Sequence, residues 1–94
     1  MKILAIENEI EGEEWDKLDD LLKEEAHHVY NLYLSGSIRE IYFTENKNAI
    51  LVMETENKQA AIKLIDTLPL VKSGKIKFEI MELNPYTGYD RIMK

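Results

Sequence analysis

Residues 68–86 read LPLVKSGKIKFEIMELNPY and are the most informative stretch of the chain. Pro69 cannot continue a helix and disfavours helical backbone in the residue before it, so a preceding helix should end near Thr67. Gly74 can adopt a positive φ just ahead of a new element. From Ile76 onward, apolar and polar side chains alternate with the period of two that a strand with one buried face requires. The stretch therefore predicts a helix end, a tight loop and a strand.

The rest of the chain supplies the other elements of the fold. We predict strands over 2–8, 37–44 and 49–55, and helices over 14–34 and 57–67. Gly36 is suited to a left-handed cap that ends the first helix, and Asn57 to the N-cap of the second. The order βαββαβ predicts a ferredoxin-like α+β fold, with a four-stranded antiparallel sheet and two helices on one face. We take 1–94 as a single domain, with 84–94 as a C-terminal arm.

The first predicted helix carries two neighbouring rows of side chains. The row expected to form its apolar stripe is Trp15, Leu18, Leu22, Ala26, Val29 and Tyr33, at steps of three and four residues. The row beside it is Leu21, Glu25, His28 and Leu32. On the second strand, alternation places Ile38, Glu40 and Tyr42 on one face, and Arg39, Ile41 and Phe43 on the other.

The second face of the sheet predicts a partner. Two helices can cover only one face, yet strands 2–8, 49–55 and 76–83 carry apolar residues on both. A monomer would expose that second face as a large apolar patch. Packing two sheets face to face removes the patch, so we predict a two-fold symmetric homodimer.

Composition excludes several classes of function. The formal net charge of −6 disfavours binding to nucleic acid and to anionic membranes, and no apolar run is long enough to span a bilayer. The absence of cysteine rules out disulfides and thiolate chemistry and fits a cytoplasmic protein. No signal peptide is evident at the N-terminus. We expect no cofactor and no metal site.

With the elements in place, several segments resemble a known superfamily. They are residues 32–43, 68–71, Gly74, 78–80 and 83–86. In these the chain resembles the dimeric α+β barrel superfamily, and within it the small proteins related to muconolactone isomerase. The resemblance implies face-to-face dimers and a small-molecule pocket between sheet and helices. It also implies cofactor-independent isomerases or oxygenases acting on small organic acids or aromatic compounds.

The second strand offers the first candidates for chemistry. Arg39 and Glu40 are adjacent, so they should point to opposite faces and one of them should face inward. Arg39 could hold a substrate carboxylate, and Glu40 could act as a base next to a carbonyl. Tyr42, on the Glu40 side, could offer its hydroxyl to the same ligand. The alternative is structural: an interfacial ion pair for the two charges and an amphipathic core position for Tyr42.

The first helix and the arm offer the remaining candidates. His28, in the row with Glu25, could serve as an acid or base near neutral pH, with Glu25 among the ligand-binding residues. The alternative, which we favour from the sequence alone, is that His28 lies on a solvated flank of the helix. His27 and His28 are adjacent and cannot form a two-histidine metal motif. Tyr86, together with Tyr89 and Arg91, could close over a pocket about a hinge at Gly88, or lock the dimer.

We therefore predict a small cytoplasmic homodimer that binds a small organic ligand such as a carboxylate, lactone or aromatic compound. The predicted activity is that of a cofactor-independent, muconolactone isomerase-like isomerase. The alternative is a non-catalytic dimerisation or ligand-sensing module. A fold alone does not decide between these functions.

Overall fold

The computed structural model describes residues 1–9 and 18–93. Its elements are β1 Lys2–Glu9, α1 Asp19–Leu34, β2 Ile38–Phe43, β3 Ala49–Glu54, α2 Lys58–Asp66, α3 Pro69–Lys72, β4 Ile76–Leu83 and a 3₁₀ turn, Gly88–Arg91. Within the described ranges, no helix is both long enough and apolar enough to cross a membrane.

The four strands form one antiparallel sheet in the order β2-β3-β1-β4. Ile3 on the central strand β1 lies opposite Met53 on β3, and Ala5 lies opposite Leu51. These side chains are buried beneath the helices and form the core together with Ile38, Ala61, Ile65 and Leu68. The predicted ferredoxin-like α+β sheet with its helical layer is confirmed.

The opposite face of the sheet, which we call the open face, is apolar at its centre. The half-buried side chains there are Leu4, Ile6, Ile50, Val52 and Met81. Tyr42 extends this apolar area toward the β2 edge, because it lies opposite Ile50. No helix of the described chain covers these residues, so this face lacks the second layer that an apolar sheet surface needs.

The turn and cap predictions are confirmed. Gly36 follows α1 with φ +88°, and Gly74 precedes β4 with φ +76°. Both glycines occupy the left-handed region, which other L-residues rarely adopt. The side-chain oxygen of Asn57 accepts a hydrogen bond of 2.8 Å from the Ala60 amide and caps α2.

A third, short helix was not predicted. Pro69 was expected only to end a helix, but it also begins α3, where it occupies the first helical position. Proline suits that position because its missing N–H would have had no intrahelical partner. The residue before it, Leu68, is extended with φ −64° and ψ 130°. The corner between α2 and α3 is therefore a change of helix direction, not a loop.

The predicted faces of β2 are wrong at its start. Ile38 lies opposite Met53, whereas Glu40 lies opposite the next residue back along β3, Val52. Arg39 is thus an extra residue in a β-bulge, which resets the alternation. Ile38 is buried beneath the helices, while Glu40 lies on the open face with Tyr42.

The predicted stripe on α1 is also wrong in part. Ala26 and Tyr33 are exposed, although Leu22 and Val29 are half-buried. The second row faces inward instead: Leu21, Glu25, His28 and Leu32 are all half-buried. Residues 10–17, which include Trp15, lie outside the described residues. The helix turns the carboxylate and imidazole of that second row toward the interior.

Candidate functional site

The inward face of α1 holds two half-buried ionisable residues, Glu25 and His28. Helix α1 packs against α3 on one side and against β2 on the other. Glu25 and His28 are three residues apart, so they lie on the same face of the helix. Both side chains reach the corner where α2 gives way to α3.

Glu25 supplies a cap for α3. Its Oε1 accepts a hydrogen bond of 3.0 Å from the Leu70 amide, the second helical residue of α3. The first residue of the corner, Leu68, provides no side-chain cap of its own. Glu25 thus satisfies an amide that the start of the helix leaves without an intrahelical acceptor.

The pKa of Glu25 is raised above its ordinary value of 4.5. Burial is the largest cause, because it disfavours the charged carboxylate. The Leu70 hydrogen bond and the nearby His28 lower the pKa, whereas the negative charge of Glu7 raises it. The net result is a carboxyl group that holds its proton at a higher pH than a solvated glutamate.

Glu7 is a site residue that the sequence analysis missed. It is the one described polar or charged residue among the buried set, at 8% exposure. Its Oε1 accepts a hydrogen bond of 3.0 Å from the Ala49 amide. A signal was present in the sequence, since Glu7 shares the strand parity of Ile3 and Ala5, the buried face of β1.

His28 is hydrogen-bonded to the corner between α2 and α3, and the direction of these hydrogen bonds identifies its tautomer. The distance from its Nε2 to the Thr67 hydroxyl oxygen is 2.7 Å, and that hydroxyl lies 2.6 Å from the Leu64 carbonyl oxygen. A hydroxyl has one hydrogen, and the carbonyl can only accept it. Nε2 of His28 must therefore donate to Thr67, so in the neutral ring Nδ1 carries the lone pair and is the basic nitrogen.

The candidates on β2 lie elsewhere. Neither Arg39 nor Glu40 is buried, although one of them was expected to face inward. The bulge leaves Arg39 outside the strand ladder, where its Nε donates to the Gly36 carbonyl at 2.7 Å. The Tyr42 hydroxyl donates to Glu40 Oε1 at 2.7 Å, and this carboxylate raises the pKa of Tyr42. The structure does not bring Glu40 and Tyr42 to Glu25 and His28, because the sheet separates them.

The arm is organised around two aromatic rings. Tyr86 and Tyr89 pack edge to face, with ring centroids 4.9 Å apart and an interplanar angle of 88°. A Cβ atom at Gly88 would collide with the Tyr86 ring. Gly88 is thus required for this close approach. Tyr86 is exposed and is not part of the α1 cluster.

A groove of ≈ 370 Å³ lies between α2, α3 and β4. It is lined by Lys58, Ile62, Ile65, Asp66, Val71, Lys77, Phe78 and Ile80. None of the predicted site residues lines it. In residues 1–9 and 18–93, no three His, Asp or Glu side chains are arranged to hold a metal ion.

Comparison with known proteins identifies the fold of the chain. No known family profile and no curated protein matches the sequence. Solved structures do match over nearly the whole chain, and they belong to the dimeric α+β barrel superfamily. The predicted resemblance to that superfamily is thereby confirmed at the level of the fold.

Two of these structures are named by their activity. One is muconolactone isomerase, with a TM-score of 0.74, 15% identity, and coverage of 93% of this chain and 92% of that one. The other is the 5-chloro-2-hydroxyhydroquinone dehydrochlorinase TftG from Burkholderia phenoliruptrix AC1100, in complex with 2,5-dihydroxybenzoquinone. For it the TM-score is 0.64, the identity is 17%, and the coverage is 94% of this chain and 98% of that one. At these sequence identities the similarity establishes the fold alone. Any activity has to be inferred from the residues of this chain.

Proposed function

We propose that the protein binds a small organic acid, lactone or aromatic compound against the inward face of α1 and isomerises it by moving a proton. The observation that carries this proposal is the cluster on the covered side of the sheet. There a half-buried Glu25 with a raised pKa and a histidine with a defined tautomer share one helix face. The two solved relatives act on small ring compounds, as their names state, which supports the same class of ligand.

The cluster has the two groups that a proton shift needs. Nδ1 of the neutral His28 ring carries a lone pair, so it can take a proton from a carbon next to a carbonyl. Glu25 in its protonated form can return a proton to another position of the substrate. The substrate loses one proton to His28 and gains one from Glu25, so the reaction needs no cofactor or oxidant. His28 then releases its proton to water and Glu25 takes one up, which restores the starting state. Glu7 acts on this pair by its charge, which favours the protonated form of Glu25.

The assembly proposed with this function is a cytoplasmic homodimer joined through the open face. The apolar centre of that face, around Leu4, Ile6 and Val52, supports it. Light scattering should give a mass of two chains for the unmodified protein. For Val52→Lys it should give the mass of one chain, because an unpaired charge cannot be buried in the contact. Glu24→Lys, on the exposed side of α1, is the control. A monomeric mass for the unmodified protein would refute the dimer.

The second candidate function is a non-catalytic dimerisation or ligand-sensing module. One observation favours it: Glu25 and His28 are both hydrogen-bonded to the corner between α2 and α3, as structural tethers would be. Roles for Arg39, Glu40, Tyr42 and Tyr86 in ligand binding or catalysis stay predictions of either function.

A deuterium wash-in assay separates the two functions and works with a panel of compounds in place of a single identified substrate. The protein is incubated in D₂O with lactones, keto acids and phenols, and ¹H NMR follows the loss of exchangeable carbon-bound protons. The isomerase should exchange at least one compound faster than buffer. Glu25→Gln and His28→Gln should each slow that exchange by about 10²–10⁴-fold.

Matched controls exist one residue away. Glu24 and His27 are exposed on the outer side of α1, so Glu24→Gln and His27→Gln should leave the exchange unchanged. No exchange across the panel, with a ligand-induced rise in melting temperature, would support the sensing module instead. Equal rates in all four variants would refute the assigned acid and base.

A further inference from the structure

We propose that the groove between α2, α3 and β4 is a second binding site, for a small apolar monocarboxylate bound beside Lys58 on α2 and Lys77 on the edge strand β4. The site is distinct from the α1 cluster, since none of its lining residues belongs to that cluster. It does not depend on the isomerase proposal. Its volume of ≈ 370 Å³ falls within the range of small-molecule pockets, about 300–1,000 Å³.

The floor of the groove selects an apolar body. Phe78 and Ile80 contribute from β4, Ile62 from α2 and Val71 from α3, and all four side chains are only half-buried. Each therefore retains apolar surface in contact with water. Covering that surface with a hydrocarbon group is favourable in proportion to the area removed from water.

The charges at the groove select a carboxylate. Two lysines line it against one acid, Asp66. Lys58 belongs to α2, whereas Lys77 borders the groove from the edge strand β4, where it shares the strand parity of Met81. Neither Lys58 nor Lys77 forms an ion pair anywhere in the described part of the chain. An excess of cationic groups beside an apolar floor fits an anion with a hydrocarbon tail. Inorganic phosphate would interact with the lysines and not with the apolar floor. A neutral hydrocarbon would contact the floor and not the lysines.

The position of α3 links the groove to the rest of the molecule. Val71 lines the groove, and the preceding Leu70 donates its amide to Glu25. The two sites therefore share one four-residue helix but present different residues to their ligands. A variant at Glu25 tests one site while leaving the lining of the other intact.

The experiment is an amide NMR titration of the full chain with octanoate, 1-octanol and octylamine at equal concentrations. Octanoate should shift the amides of Ile62, Val71 and Phe78 and bind more tightly than the other two compounds. Lys58→Gln and Lys77→Gln should each weaken octanoate binding by about fivefold, the upper range for an exposed ion pair. Lys63→Gln, an exposed α2 lysine outside the groove, should leave it unchanged.

Three outcomes would overturn the proposal. They are octanoate shifts confined to other parts of the chain, equal affinity for octanoate and octylamine, and lysine variants that bind as well as the unmodified protein. Glu25→Gln should retain octanoate binding. A protein that fails the deuterium wash-in assay but binds octanoate in this way would lose the isomerase proposal and keep this one.

Discussion

The two faces of the sheet hold ionisable side chains in contrasting surroundings. On the covered face, Glu25 and His28 are half-buried and bonded to residues more than thirty positions away in sequence. On the open face, Glu40 and Tyr42 are exposed and bonded only to each other, two residues apart. Burial raises the pKa of Glu25 in the first pair, whereas the side chains of the second pair form their hydrogen bond within one strand.

The contrast shows on which side of the sheet a single chain shields a carboxyl group from water. Desolvation is the largest cause of the Glu25 pKa shift, whereas the Glu40 hydrogen bond is the largest cause for Tyr42. On the open face the same effect would require a second copy of the chain to cover the strands. Substitutions on the two faces should therefore differ in their effect on stability.

The largest effect should come from two adjacent residues of β1 that point to opposite faces. Ile3 is fully buried, so Ile3→Ala should lower the free energy of unfolding by about 3–4 kcal/mol. Leu4 is half-buried on the open face, so Leu4→Ala should cost only about 1 kcal/mol in the isolated chain. Urea unfolding at low and high protein concentration measures both.

The two losses of stability should depend differently on protein concentration. If a second copy covers the open face, the cost of Leu4→Ala rises with protein concentration while that of Ile3→Ala rises much less. Equal losses for both variants at the lowest concentration would contradict the assignment of the two faces.

The tether between α1 and the α2–α3 corner should have the next largest effect. Thr67→Val keeps the shape of the side chain but removes the hydroxyl that His28 and the Leu64 carbonyl share. We expect a loss of about 1 kcal/mol in the free energy of unfolding. Thr87→Val is the matched control, because the Thr87 side chain caps nothing. A loss as large in the control would mean that the hydroxyl at residue 67 is not a tether.

The pH dependence of stability should report Glu25. Its folded pKa is raised, so its contribution favours folding below the unfolded value of 4.5 and is lost as pH rises through the folded pKa. Relative to Glu25→Gln, the unmodified protein should thus be more stable at pH 4 than at pH 7. Thermal unfolding at the two pH values measures this difference. A difference of the opposite sign would mean that the Leu70 hydrogen bond outweighs burial.

Substitutions of the neighbours of Glu25 independently test the causes of its pKa shift. Removing the negative charge with Glu7→Gln should lower the pKa of Glu25, and removing the imidazole with His28→Gln should raise it. Carboxyl ¹³C chemical shifts across a pH titration give both directions. Glu24 lies on the outer side of the helix, so Glu24→Gln should leave the pKa of Glu25 unchanged.

Most of the fold could be predicted because local signals and global topology agree. Gly36, Gly74 and Asn57 each mark a turn or cap by a property of the residue itself, and the structure uses all three in that way. The alternation after Ile76 likewise identified β4 with its observed bounds, Ile76–Leu83. Signals of this kind do not depend on contacts with distant residues.

The site was less predictable, because its geometry is determined by tertiary packing and not by local sequence. The bulge at Arg39 adds one residue to β2, and a period of two cannot reveal an insertion. Helix α1 is apolar on its outer side as well, with Tyr30, Tyr33 and Leu34 exposed, so its hydrophobic pattern did not single out the inward face. Glu25 and His28 were named as candidates, but their partners Leu70 and Thr67 were visible only in the fold.

The smallest effect should come from the open face. Glu40→Gln removes the carboxylate that holds the Tyr42 hydroxyl, and the pKa of Tyr42 should then fall toward its ordinary value of 10.0. Ultraviolet titration of Tyr42, with Tyr42→Phe as the reference spectrum, measures the shift. Stability should not change, because both side chains are exposed and water replaces the lost bond. A marked loss of stability that grows with protein concentration would instead place Glu40 and Tyr42 in the contact between two copies. In that case the second copy would bury the Glu40–Tyr42 hydrogen bond, and the open face would shield ionisable side chains from water as the covered face does.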